Sequence, residues 1–115
     1  MTKSASNSYI RFLNALDAIA HINPHASLDA IETQLLEYVL IANHRNQEVL
    51  VGDLLKLSQL GSQATLHGRI KSLAVNGYVD LRTDKTDMRR KFVEPTKKAI
   101  KYLQLMSEQL QKAVK

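Results

Sequence analysis

Residues 53–96 read DLLKLSQLGSQATLHGRIKSLAVNGYVDLRTDKTDMRRKFVEPT, and the succession of patterns in this stretch decides the fold. Asp53 to Leu60 is a compact helical segment that Gly61 is expected to stop. Ser62 is a good N-cap for a second helix, Gln63 to Asn76, whose inner stripe is Leu66, Ile70, Leu73 and Ala74. Gly77 then supplies the positive φ that ends it. Beyond Gly77 the period drops to two. Tyr78 to Arg82 alternates as a strand, Thr83 to Met88 is turn-prone, and Arg89 to Glu94 is a second strand-like run. Pro95 is expected to end that strand, because it cannot donate to a ladder. Two helices separated by Leu60-Gly61-Ser62 have helix-turn-helix spacing, and a basic hairpin directly after them makes a winged helix.

Working outward, Glu48 to Val51 is a short β-prone piece leading into this stretch. Before it, Ser27 is the expected N-cap of a helix with Asp29 in its first turn, and with Leu28, Ile31, Leu35, Tyr38 and Ala42 as its apolar stripe. Asn43 to Gln47 is its polar exit. The first helix, from about Ser6 to His21, carries Tyr9, Phe12, Leu13, Leu16, Ile19 and Ala20 at helical spacing, and Asn23-Pro24 breaks it. Thr96 caps a final helix to about Val114, with Ala99, Leu103, Met106, Leu110 and Ala113 along one face. The expected fold is mainly α with a small β-hairpin, a winged helix-turn-helix flanked by terminal helices. We expect a single domain over 1–115, with 48–96 as the winged core and 6–47 and 97–115 as helices for dimerisation and packing. The terminal helices carry apolar stripes that lie far in sequence from the winged core. Tyr9, Phe12, Leu13, Leu16, Leu103, Met106 and Leu110 are therefore the expected dimer contacts.

The chain has 115 residues, 44% of them hydrophobic, which suits one ordinary globular domain. No apolar run approaches a membrane span, and Met1 to Ser6 lacks the apolar stretch of a secretion signal, so the cytoplasm is the expected location. Cysteine is absent, which excludes disulfides, thiol nucleophiles and thiolate metal sites. His21 and His25 are four apart, but Pro24 stands between them, while His44 and His67 are scattered. No metal site is expected. Nor is there a nucleophile–base–orienter set, a phosphate-cradling glycine loop or a pair of buried carboxylates, so we expect no enzyme, no catalytic residue and no cofactor. The net charge is +5, and residues 51–115 hold thirteen of the sixteen basic side chains against six acidic ones. Such a basic half points to a polyanion, most often nucleic acid.

On a helix turning 100° per residue, an inward Leu66, Ile70 and Leu73 leave Ala64, Gly68, Lys71, Ser72 and Val75 outward, flanked by Thr65, His67 and Arg69. Small residues there let a backbone approach the floor of a major groove. The first turn of Ser62, Gln63 and Thr65 reaches first, and Gln63, Thr65, His67 and Lys71 are the side chains able to read base edges. A solvated helix face shows the same pattern; the adjoining hairpin favours DNA. That hairpin carries Arg82, Lys85, Arg89, Arg90 and Lys91, countered by Asp84 and Asp87. Asp87 is spaced to hold the Arg89 guanidinium in a bidentate pair, and an arginine at a ribbon tip fits a narrow minor groove. The expected DNA contacts are thus Ser62, Gln63, Thr65, His67, Arg69, Lys71, Arg82, Lys85, Asp87, Arg89, Arg90 and Lys91. The alternative is a winged-helix interaction module that docks an acidic protein through its basic hairpin.

The stretch Leu54 to Ala99 resembles the DNA-binding module of the MarR family of bacterial transcriptional regulators. The resemblance lies in Ser62-Gln63-Ala64-Thr65-Leu66, in Leu73 with Gly77-Tyr78-Val79, in the wing signature Asp87-Met88-Arg89, and in Val93 and Thr96. Pro95 and Ala99 differ from the Leu-Thr-x-x-Gly usual in the family, and Gly68 replaces a commonly larger residue. The resemblance implies a homodimer in which the first and last helices of both subunits intertwine, bound to a pseudo-palindromic duplex. It places a minor-groove arginine at Arg89. It also implies the possibility of a small aromatic effector in a crevice where Tyr9, Arg11, Phe12 and Tyr38 are candidates, with a core role for the aromatics as the other reading.

Overall fold

Asp29 opens the second helix because its carboxylate accepts the Glu32 N–H at 2.7 Å, while Glu32 reaches back to the Asp29 N–H at 3.0 Å. This reciprocal cap satisfies two donors that the helix start leaves free. The computed structural model describes residues 3–22 and 28–114. Their elements are α1 (Lys3–Ile22), α2 (Ala30–His44), α3 (Val51–Leu55), α4 (Gln63–Val75), β1 (Val79–Thr83), β2 (Lys91–Pro95) and α5 (Lys97–Val114). Contacts divide the chain into two compact units: one holds α1 and α5 from Lys101 onward, the other Leu28–Ile100.

In the Leu28–Ile100 unit, α2, α3, α4 and the hairpin enclose a core of aliphatic side chains. Leu35, Leu36, Leu54 and Leu66 are fully buried, with Val39, Ile70, Leu73, Val79 and Val93 nearly so. Each such side chain contributes about 1.5–3 kcal/mol on burial. β1 and β2 pair antiparallel from Val79 opposite Pro95 to Thr83 opposite Lys91. Leu50 bridges Phe92, and Val93 N–H donates to the Val49 carbonyl at 2.8 Å, so the segment before α3 lines the free edge of β2. α4 ends at Val75; Gly77, two residues beyond, has φ +82°, and Lys98 Nζ donates to the Asn76 carbonyl at 2.7 Å. Thr96 Oγ1 accepts the Ala99 N–H at 3.2 Å and so starts α5.

Several expectations are corrected. Ser27 lies outside the described residues, and Asp29 is the N-cap itself, not a first-turn residue. Tyr38 is exposed while Leu36, Val39 and Leu40 are buried, because α2 packs against both α4 and β2 and buries a wider face than one stripe. The segment from Asp53 to Leu60 is not one helix. α3 starts earlier, where Asp53 Oδ2 accepts the Leu50 N–H at 2.9 Å, and it ends at Leu55; turns bonded through Leu57 and Leu60 follow. Gly61 does not adopt positive φ, so it is not the stop. Val51 belongs to α3 and not to the β-prone piece. β2 begins at Lys91, since Arg89 and Arg90 belong to the tip turn, and Pro95 is its last paired residue, at a position that asks for no N–H.

In the other unit, α1 exposes Tyr9, Ile10 and Leu13, with Phe12 and Leu16 half-buried. An aromatic core role therefore does not hold for Tyr9, which is 65% exposed. From Lys101 onward, α5 exposes Leu103, Leu105, Leu110 and Val114, half-buries Met106 and buries Ala113. Both helices thus present apolar side chains to solvent. No helix among the described residues is long and apolar enough to cross a membrane.

Candidate nucleic-acid interface

α4 starts with Ser62 Oγ accepting the Thr65 N–H at 3.1 Å and bonding the Thr65 hydroxyl at 3.0 Å. The pair Ser62 and Thr65 is therefore occupied in capping, and Gln63 is the first exposed side chain of the helix without a partner among the described residues. His67 and Lys71 are likewise exposed and unpaired among them. Between them Gly68 faces open space: beyond its chain neighbours and its own helix backbone, no atom of the described residues lies within 4 Å of where a Cβ would stand. Ala64, Gly68, Lys71 and Val75 form one outward row, and Val75 is 85% exposed.

Two residues of α4 turn elsewhere. Ser72, expected outward, is half-buried and donates to Glu32 Oε2 at 2.6 Å. Arg69 Nε lies 2.7 Å from Asp29 Oδ2, an ion pair whose N–H direction misses hydrogen-bond geometry. The reason is chemical: each carboxylate of the α2 cap spends one oxygen on its own helix and leaves the other for α4. Asp29 and Glu32 thereby fix the rotation of α4 about its axis. Helical periodicity does not show this role, although the Asp29-x-x-Glu32 spacing is a capping signature.

The wing is organised by carboxylates. Asp87 receives Arg89 in a fork, Nε at 3.1 Å and an Nη at 3.4 Å, and also accepts the Arg89 backbone N–H at 3.1 Å. The Arg89 side chain is nonetheless 90% exposed. The fork and the backbone N–H of Arg89 hold the Asp87 carboxyl below the usual carboxylate range. Asp84 is lowered too, chiefly by the Thr86 N–H and hydroxyl. Arg82 pairs with Glu94 at 2.6 Å and lies 4.5 Å over the Phe92 ring, with Arg90 5.9 Å from the same ring and 3.7 Å from Asp84. Lys85 and Lys91 are exposed and unpaired among the described residues. Phe92 as the platform for two guanidiniums was not foreseen; an aromatic flanked by arginines on paired strands was the available signal.

A separate groove of about 320 Å³ lies where the end of α2 meets β2, lined by Asn43, Asn46, Glu48, Phe92 and Glu94 among others. It does not include Tyr9, Arg11, Phe12 or Tyr38. His25 lies outside the described residues; among those described, no three His, Asp or Glu side chains form a group that could hold a metal.

The short helix α3, the turns through Leu57 and Leu60, the capped helix α4 and the basic ribbon define a winged helix-turn-helix. More narrowly, the chain has the fold of the MarR-family transcriptional regulators, seen in solved structures that match over nearly its whole length. The heme sensor PefR from Streptococcus agalactiae, solved in complex with heme, matches with a TM-score of 0.66 and 18% identity over 97% of this chain and 76% of its own. AbsC, a MarR family regulator from Streptomyces coelicolor, matches with a TM-score of 0.59 and 14% identity over 99% and 78%. BpsR from Bordetella bronchiseptica, whose DNA binding is regulated by 6-hydroxynicotinic acid, matches with a TM-score of 0.52 and 19% identity over 96% and 75%. At these identities the likeness is one of fold. No family model matches the sequence, and no curated protein matches it.

Proposed function

We propose that this chain is a sequence-specific, double-stranded DNA-binding transcriptional regulator and not an enzyme. In this reading it acts as a homodimer, with α4 in a major groove and the wing tip in the adjacent minor groove. The observation that carries the reading is the Arg89–Asp87 fork. An arginine that is 90% exposed, yet held in orientation by a carboxylate two residues away, is a preorganised donor. The three guanidinium N–H groups that the fork leaves over suit the electronegative floor of a narrow minor groove. Gln63, His67 and Lys71, unpaired among the described residues, supply with the open Gly68 a face that base edges can approach closely.

The dimer rests on the exposed apolar side chains of α1 and α5, with Tyr9, Leu13, Leu103 and Leu110 as its proposed contacts and Phe12, Leu16 and Met106 beneath them. A two-fold axis selects a pseudo-palindrome with half-sites about one helical turn, roughly 10 bp, apart. A small aromatic effector fits the same reading, because the similar folds include a heme sensor and a protein regulated by 6-hydroxynicotinic acid. Selection of bound duplexes from a random pool tests the proposal. Enrichment of a two-fold symmetric motif at physiological salt supports it; a pool that stays random contradicts it.

A further inference from the structure

Between Thr83 and Lys91 the wing has a single large apolar side chain, Met88, and it is 74% exposed. Arg90 N–H donates to the Asp87 carbonyl at 3.0 Å, which makes Met88 and Arg89 the two corner residues of a four-residue turn. Asp84 N–H donates to the Arg90 carbonyl at 2.9 Å and closes the loop beneath that turn. Side chains pin it from both sides. Asp84 Oδ1 accepts the Thr86 N–H and hydroxyl at 3.0 and 2.9 Å, and Asp87 accepts both the backbone and the guanidinium of Arg89. Phe92, the aromatic ring of the hairpin, is already covered by the Arg82 guanidinium and approached by that of Arg90. The turn therefore presents an unbranched apolar side chain to water beside an oriented cation.

Building on the DNA-binding reading above, we propose that Met88 is a wedge that enters the minor groove next to Arg89, parts a base step and kinks the duplex. Minor-groove proteins pair these two chemistries: a cation that answers the groove potential, and an apolar side chain that unstacks a step and bends the helix by about 20–90°. Methionine is suited to the task, since its unbranched thioether stem is thin and adapts to an irregular gap. Pyrimidine–purine steps unstack with least resistance. The wing therefore selects a TA or CA/TG step at a position that α4 does not touch, and Met88 determines that preference.

The test uses a duplex recovered from the random pool, with a fluorescent purine analogue at the wing step and a dye pair at its ends. The full chain should brighten the analogue several-fold and shorten the end-to-end distance. Met88→Leu should retain both effects. Met88→Ala and the polar, similarly sized Met88→Gln should lose both and bind several-fold more weakly, with an unchanged melting temperature. If Met88→Ala brightens and bends the duplex as the wild type does, or Met88→Gln behaves like Met88→Leu, the wedge is refuted. A wild type that selects no duplex overturns the wedge together with the DNA-binding reading. A wild type that binds, weakens on Arg89→Ala and is indifferent at Met88 overturns the wedge alone.

Discussion

Removing the hydroxyl of Ser72 should cut one of the two ties between α4 and the cap of α2, leaving Arg69 on Asp29. Ser72 Oγ donates to Glu32 Oε2 at 2.6 Å, and Glu32 is only 8% exposed, so water replaces the lost donor poorly. A hydrogen bond to a charged acceptor contributes about 1.5–3 kcal/mol net. Ser72→Ala deletes one such bond and leaves Asp29 N–H on the other oxygen, so a loss of about 2 kcal/mol is expected. With a urea slope of about 2 kcal/mol/M, the midpoint falls by about 1 M. Glu32→Ala should cost more, because it also removes the acceptor of the Asp29 N–H, although the Asp29 carboxylate still caps the N–H of residue 32. The informative quantity is the coupling in a double-mutant cycle of Glu32→Ala with Ser72→Ala, read by urea unfolding at one fixed protein concentration. It should be about 1–2 kcal/mol. Effects that add to within about 0.5 kcal/mol would refute the reasoning, since uncoupled sites add that closely.

Three further outcomes are expected. Burial, with Glu32 adding to it, raises the Tyr78 phenol above its ordinary value of 10.0. A folded pKa above the unfolded one gives stability that is complete below pH 10.0 and is lost as pH rises through the folded pKa; Tyr78→Phe should flatten that alkaline loss in urea midpoints taken from pH 8 to 11, and an identical loss would refute the shift. Gly77 has φ +82°, and the nearest atom to an added Cβ is Lys98 Cδ at 3.8 Å, so Gly77→Ala meets strain without a clash and should cost about 1–2 kcal/mol by chemical unfolding. Replacing Leu103 and Leu110, both exposed on α5, with glutamate should convert a dimer into monomer in sedimentation velocity; a wild type that sediments as a well-folded monomer at micromolar concentration contradicts the dimer.

The parts of this fold readable in the sequence are those set by local chemistry. Ser62 capping α4, Gly77 ending it, the two strands and the Asp87–Arg89 fork all follow from residue types a few positions apart, and all are present. What the sequence hid depends on partners distant in the chain. Ser72 lies on the outward arc of an isolated helix, and only Glu32, forty residues earlier, explains why it turns in. Arg69 is drawn aside by Asp29 in the same way. Periodicity shows too narrow a stripe on α2, because it does not tell one covering layer from two. The end of α3 was placed by Gly61, whereas Asp53 bonding Leu50 shifts the whole segment toward its start.

The proposed function requires that the wing tip grip duplex DNA through an oriented arginine. It is tested most directly by titrating wild type, Arg89→Ala, Arg89→Lys and Asp87→Ala against one selected duplex at two salt concentrations. Arg89→Ala should weaken binding strongly and make the log–log salt slope shallower by about one unit, with fold and dimer unchanged. Arg89→Lys should recover part of the loss, because it restores charge without the planar fork, and Asp87→Ala should show a milder defect. Four proteins of equal affinity and equal slope would contradict the claim and return the hairpin to the docking of acidic protein partners.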